Sequence, residues 1–168
     1  LRPPPLERAV APVDGRIAAD GTVLAPATVD IAELQRWRAD GIAAVAIVLL
    51  HGPLAPEEER RLGQRCAALG FSTISLGHEV APSRGFLARL RTTLADAALS
   101  PLLPRAPGHY MRSDGGLATE DGNGGGSWRG RDAVLSGPAG GVIATAALCR
   151  QAGIEAAFGL DMGGTSAD

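Results

Sequence analysis

The chain has 168 residues, a hydrophobic fraction of 45% and a formal charge of -2. That length suits about one domain with room for a second attached element, and the near-neutral charge excludes the basic footprint of a nucleic-acid-binding protein. Aromatic residues make up only 4%, so the core has to come from Ala, Val, Leu and Ile; lysine is absent and all 16 basic residues are Arg, which reads as genomic base composition rather than function.

The start, "LRPPPLERAV", is Pro-rich and unlike a signal peptide, and reads as a chain entered part-way through a larger protein. "VDGRIAADGTVLAP" alternates and turns at Asp20-Gly21, which predicts a short hairpin. Asp30 is the expected N-cap of a helix through Ile31, Leu34 and Trp37 that ends at Gly41. The unbroken apolar run "AAVAIVLL" at 43–50 predicts a strand covered on both faces, as in a parallel sheet. Pro56 and the acids Glu57, Glu58 and Glu59 suit the first turn of a helix. Leu62, Cys66 and Leu69 then fall on one face, with Gly70 as the stop.

"FSTISL" at 71–76 predicts a second strand, and a third helix is expected from about Arg84 with Leu87, Leu90 and Leu94 on one face. "SPLLPRAPG" ends it, and "HYMR" leads as a strand into the "SDGG" turn. Residues 119–131, "TEDGNGGGSWRGR", read as a flexible loop, "DAVL" as a brief strand, "SGPAGGVIATAALCRQAG" as a helix and "EAAFGLD" as a last strand. Strand and helix thus alternate, which predicts an α/β layout with right-handed crossovers. No apolar run approaches the ~20 residues needed to span a membrane. Cys66 and Cys149 lie far apart in helical patterns without metal-type partners, so both are expected as buried free thiols in a reducing cytoplasm.

The closing "DMGGTSAD" carries the most chemistry. A strand delivers Asp161 at its C-terminal end, the ligand-facing edge of such a sheet. Gly163 and Gly164 lack Cβ, so their amides can approach a phosphate closely, and Thr165 and Ser166 add hydroxyl donors. Asp161 and Asp168 can hold Mg²⁺ as hard oxygen ligands. The alternative is a plain glycine turn capped by Asp161 and Thr165. The helix before it argues for more. Ser136 or Gly137 can cap it and Pro138 fits its first position, yet Gly140 and Gly141 follow within it. Each such glycine costs about 1 kcal/mol against Ala, which predicts close approach by another helix or a ligand.

The pair "LSGPAGGV" and "DMGGTSAD", with "SDGGL", "AVAIVLLH", "GFSTISLGHEVAPS" and "RTTLADAALSP" upstream, resembles the ATP-dependent hydantoinase and 5-oxoprolinase family. The resemblance runs from about Leu6 to Asp168. It implies an actin-like ATPase (ribonuclease H-like) layered α/β fold, a mixed sheet flanked by helices, incomplete in this chain. Residues 1–132 are then the remainder of a first lobe, and 133–168 the connecting helix and entry to the second. ATP lies between two phosphate loops, of which "DMGGTSAD" is the second. Asp161 would orient Mg²⁺ or water; Gly163, Gly164, Thr165 and Ser166 would bind phosphate oxygens; Ser136, Gly137, Gly140 and Gly141 would line or shape the cleft. Ser113, Asp114, Gly115 and Gly116 match a cleft-forming turn.

The activity so implied is ATP-dependent opening of a cyclic amide, 5-oxoproline or a hydantoin, in the cytoplasm, with a second hydantoinase-type subunit as an expected partner and neither nucleic acid nor membrane involved. A fragment of this length is expected to be inactive alone. A subunit of an ATP-dependent ketone carboxylase and a non-catalytic α/β interaction module are the alternatives. Three positions depart from the family pattern: Ala167 for Thr, Arg112 for Gln and Glu58 for His. His51 and His78, at predicted sheet edges, match family histidines; a structural imidazole bonded to backbone is the expectation for each, with a metal or general-base role as the alternative. His109 has no evident partner, and Arg89, Arg91 and Arg105 read as a solvated basic face.

Overall fold

The computed structural model describes residues 5–82, 85–103, 106–122 and 128–160. The chain divides into two compact units, Leu1–Leu102 and Leu103–Asp168. No helix among the described residues is long and apolar enough to cross a membrane.

In the first unit, β1 (Asp14–Ile17) and β2 (Val23–Thr28) form the predicted antiparallel hairpin. Asp20 Oδ1 accepts the Thr22 N–H at 2.9 Å, and Gly21 sits at φ 93°, a conformation strained for any residue with a side chain. Asp30 caps α1 (Ile31–Ala39), its Oδ1 accepting the Ala32 N–H at 2.9 Å. β3 (Ala44–Ile47) and β4 (Thr73–Leu76) pair in parallel from Ala44↔Thr73 to Ile47↔Leu76. Between them runs α2 (Pro56–Ala68), with Pro56 and the three acids in its first turn. A short α3 (Gly77–Val80) and the longer α4 (Phe86–Leu99) follow.

The core is aliphatic, as the composition requires. Leu34 of α1, Val45 and Ile47 of β3, and Leu62 and Cys66 of α2 close on Ala27, Leu49 and Phe71. Each large aliphatic side chain so buried contributes about 2 kcal/mol. Burial pushes the Cys66 thiol above its ordinary value, which keeps it protonated and unreactive. Cys149 is only half-buried, so the expectation of two buried thiols holds for one.

Two expectations for this unit need correction. The strand predicted over 43–50 stops at Ile47, and its side chains alternate between half-buried and buried. The amide of Leu49 turns instead to the Glu59 carboxylate, which ends the pairing. On the α4 face that carries Leu87, Leu90 and Leu94, the last two are half-buried and none is fully buried. Leu87 is 66% exposed, whereas Arg89, Thr93, Asp96 and Ala97 are buried. Polar groups take the inner face because each finds a partner there: Thr93 Oγ1 donates to Arg89 O at 2.7 Å, and Ser75 Oγ of β4 donates to Asp96 Oδ2 at 2.7 Å.

Glu58 ties α2 to the hairpin. Its Oε2 accepts the Ala27 N–H and, at 2.6 Å, a hydrogen bond from Arg61 Nη2. The Ala27 amide first, and then Arg61, hold this carboxyl below its ordinary value of 4.5. A depressed folded value means stability that is present above pH 4.5 and lost as pH falls through the folded value. Glu58→Gln is therefore expected to lower stability near neutrality and to flatten its loss in acid, read from urea midpoints between about pH 3 and pH 7.

In the second unit, β5 (Gly108–Met111) and β6 (Leu117–Glu120) form an antiparallel hairpin closed by the "SDGG" turn. α5 (Gly130–Ala133) and α6 (Ser136–Ala152) follow. The predicted loop over 119–131 is shorter than expected: Thr119 and Glu120 belong to β6, and Gly130 and Arg131 to α5. Pairing with β5 recruits Thr119 and Glu120 to the strand despite the polar run that follows. "DAVL" is not a strand, since Asp132 and Ala133 end a helical turn in which Asp132 N donates to Arg129 O at 2.9 Å. Glu155–Leu160 is exposed and unpaired rather than the predicted last strand. A strand needs a neighbour, and among the described residues this segment has none.

Candidate functional site

The predicted phosphate-loop residues Asp161, Gly163, Gly164, Thr165, Ser166 and Asp168 lie outside the described residues, as does Ala167. What the structure describes is the helix that precedes them and the hairpin that anchors it.

That hairpin is built by the "SDGG" turn. Gly115 adopts φ 82°, and a Cβ there would stand 2.9 Å from Ile143 Cδ1 of α6, so only glycine fits. Asp114 Oδ1 accepts the Gly116 N–H at 2.9 Å, and Arg112 Nη2 reaches Asp114 Oδ2 at 2.7 Å. Arg112, the departure from the family's Gln, thus closes its own turn. Ser113 does the positioning. Its N–H and Oγ donate to Asp132 O at 2.7 and 2.8 Å, and its Oγ accepts the Leu135 N–H at 2.9 Å. A hydroxyl from the turn therefore satisfies the amide that starts α6 and the carbonyl that ends α5. Ser113→Ala is expected to cost about 1–2 kcal/mol, read as a lowered melting temperature with loss of amide protection at Leu135.

This contact shifts the predicted helix start. Leu135, not Ser136 or Gly137, is the cap residue of α6, and Pro138 is the third helical residue rather than the first. Ser136 Oγ donates to Ala133 O at 3.0 Å, so its hydroxyl already has a partner. A Cβ on Gly137 or Gly141 would meet nothing within 4 Å, and one on Gly140 would only reach Met111 Cγ at 3.9 Å. Among the described residues, then, no packing offsets these glycines. They leave the helix backbone open to close approach from outside, and no residue of α6 is fully buried.

The first unit carries a second cluster, at the C-terminal edge of its parallel pair. Glu59 of α2 has no exposed surface. Its Oε1 accepts the Leu49 N–H at 2.9 Å; its Oε2 accepts the His78 N–H at 2.8 Å and lies 2.7 Å from His78 Nδ1. A Cβ on Gly52 would overlap Glu59 Oε1, and one on Gly77 would stand 3.2 Å from it. Arg89 of α4, equally buried, donates from Nη2 to Leu49 O at 2.6 Å and Leu50 O at 2.8 Å. His78 is thus bonded to a carboxylate rather than to backbone, its side chain 6% exposed. His51 is half-buried, and among the described residues no hydrogen bond engages its imidazole.

Arg89 is a correction to the solvated basic face; Arg91 is exposed as expected, and Arg105 lies outside the described residues. His109 is exposed and stands 3.3 Å from Thr119 Oγ1. Among the described residues, no cluster of His, Cys, Asp and Glu suits a metal ion. Glu59 and Arg89 were missed as a pair because 30 residues of sequence separate them and each sits in a helix that also bears exposed charges. The available signal was the glycine after each strand, Gly52 and Gly77, where a buried carboxylate takes the place of a Cβ.

Residues 1–70 match the hydantoinase/oxoprolinase N-terminal region, and residues 89–168 match the hydantoinase/oxoprolinase domain. The 5-oxoprolinase of Saccharomyces cerevisiae is 38% identical over 145 residues, covering 77% of this chain and 11% of that protein. The caprolactamase subunit alpha of Pseudomonas jessenii is 33% identical over 178 aligned positions, covering 94% of this chain and 25% of that subunit. The crystal structure of the ATP-dependent caprolactamase from the same organism aligns with a TM-score of 0.72 at 32% identity, over 93% of this chain and 25% of that one. The chain spans 11% to 25% of these relatives' length. The α/β class expected from the motifs is the fold shared with that neighbour. With both matched regions in chain order and only the short stretch 71–88 between them, this chain belongs to the hydantoinase/oxoprolinase family.

Proposed function

We propose that this chain is part of an ATP-dependent cyclic-amide hydrolase that opens a ring such as 5-oxoproline or a hydantoin. The observation that carries the reading is that relatives named for two different rings, a 5-oxoprolinase and a caprolactamase, share this stretch of chain. Both names denote opening of a lactam, so the common chemistry is attack at a ring amide. Bound ATP supplies a phosphoryl group able to activate an amide oxygen, with Mg²⁺ neutralising phosphate charge.

The chain's own residues then bind and orient. Asp161 and Asp168 hold the metal, and Gly163, Gly164, Thr165 and Ser166 offer amide and hydroxyl donors to phosphate oxygens. The open flanks of Gly137 and Gly141 fit a group that must approach α6 closely. Gly140 shapes the same surface, and Ser136, whose hydroxyl is spent on Ala133, contributes through its backbone. In the complete protein, residues 1–132 belong to a first lobe and 133–168 form the connecting helix and entry to a second, with a second hydantoinase-type subunit as partner. Two free cysteines suit the cytoplasm.

The test is ADP release by the full-length gene product with Mg-ATP and 5-oxoproline, a hydantoin or caprolactam. Amide-dependent release is expected. Turnover that instead requires bicarbonate and a ketone assigns the protein to carboxylation, and no turnover with any of these substrates overturns the enzymatic reading.

A further inference from the structure

The loop after β3 is held by more buried charge than a turn requires. Both backbone polar groups of Leu49, and the carbonyl of Leu50, are bonded by ionisable side chains with no exposed surface, Glu59 and Arg89. Glu59 simultaneously holds the first residues after β4 through the His78 amide and imidazole. Burying such groups costs desolvation that apolar packing avoids. What they secure is the exact placement of two loops at the carboxyl ends of parallel strands, the edge at which open α/β sheets bind ligands. The next residue after Leu50 is His51, which opens the short 3₁₀ turn Gly52–Leu54. Its half-buried imidazole is the polar side chain left at this edge without a hydrogen bond among the described residues.

We propose that Glu59, Arg89 and His78 form a preorganising clasp, and that His51, carried by it, is the residue through which the first unit hydrogen-bonds the ring amide of the substrate. A lactam constrains its N–H and C=O to one cis edge, and a neutral imidazole offers one donor and one acceptor. One hydrogen bond from or to that imidazole reaches either the N–H or the C=O of that edge and helps seat the ring amide, leaving nucleotide contacts to other residues. Glu59 and Arg89 are positioning residues here; they touch the loop and not the substrate. Gly52 and Gly77 belong to the same device, since either Cβ would press on the carboxylate. The inference rests on the amide-hydrolase reading above.

The experiment uses the full-length gene product and steady-state ADP release, with 5-oxoproline and ATP varied separately. His51→Ala is expected to raise the amide KM about tenfold, the loss of one hydrogen bond, with the ATP KM unchanged within about twofold and an unaltered melting temperature. His51→Gln, which keeps a donor and an acceptor, recovers part of the amide KM. Glu59→Gln is expected to raise the same KM without touching that for ATP; if it fails to fold, the His51 variants decide. Wild-type amide kinetics in His51→Ala, or equal losses for amide and ATP, overturn the proposal while leaving the hydrolase reading standing. A wild-type protein without amide-dependent turnover removes that reading and this inference together.

Discussion

Asp161→Ala in the complete protein is expected to lower amide-dependent ATP turnover by about three orders of magnitude while leaving the thermal melt of the protein in place. Phosphoryl transfer leaves little covalent work to a protein. Its acceleration comes from holding phosphates, metal and acceptor in line and from neutralising charge as it develops. A carboxylate placed after the apolar "AAFGL" and before two glycines combines a metal-type oxygen ligand with a backbone a phosphate can approach. Asp161→Asn separates charge from shape. If the negative charge is what matters, Asn falls nearly as far as Ala; if Asp161 merely caps a turn, Asn retains activity and Ala costs only about 1 kcal/mol of stability. ADP release measured beside circular-dichroism melts distinguishes these, and full turnover in Asp161→Ala removes the phosphate-loop assignment.

The largest expected loss of stability is at Arg89. Arg89→Met keeps most of the aliphatic stem and deletes the guanidinium. It thereby strips the Leu49 and Leu50 carbonyls of donors 2.6 and 2.8 Å away, leaving Leu49 O with the longer Gly52 N–H bond at 3.1 Å. Hydrogen bonds to a charged group are worth about 1.5–3 kcal/mol each, and the two lost here are only partly offset by the Gly52 amide at Leu49 and by solvent at the exposed Leu50. About 3 kcal/mol in all is expected, a fall of roughly 12–20 °C in melting temperature for a unit of this size. A solvated Arg would cost no more than about 0.5 kcal/mol. The comparison with Arg91→Met, exposed on the same helix, makes the measurement self-calibrating: similar effects at the two positions would restore the solvated-face expectation.

Local features were legible wherever a residue's own chemistry decides the outcome. Asp20 and Gly21 make their turn, Asp30 caps α1, and Pro56 with its three acids opens α2, because each depends on atoms within a few residues. The family was legible for a related reason. The short sequences "LSGPAGGV" and "DMGGTSAD" combine glycines and hydroxyls in distinctive spacings, and both lie in the stretch that matches the hydantoinase/oxoprolinase domain.

Partners distant in sequence were decided otherwise. The face of α4 that turns inward carries Arg89, Thr93 and Asp96, and no period in the helix announces it. Arg89 and Asp96 are buried because the loop after β3 supplies acceptors to one and β4 a donor to the other, while Thr93 donates to the carbonyl of Arg89 in its own helix. The start of α6 moved to Leu135 because Ser113, 22 positions upstream, captures its amide. The segment 155–160 reads as a strand from its apolar content but pairs with nothing described here, since a strand exists only with its neighbour. Composition and spacing were thus sufficient for what hydrogen bonds of short range enforce. The desolvation of charge, which can be repaid only by groups brought together by the fold, settled which polar residues are buried and therefore which of them can position a site.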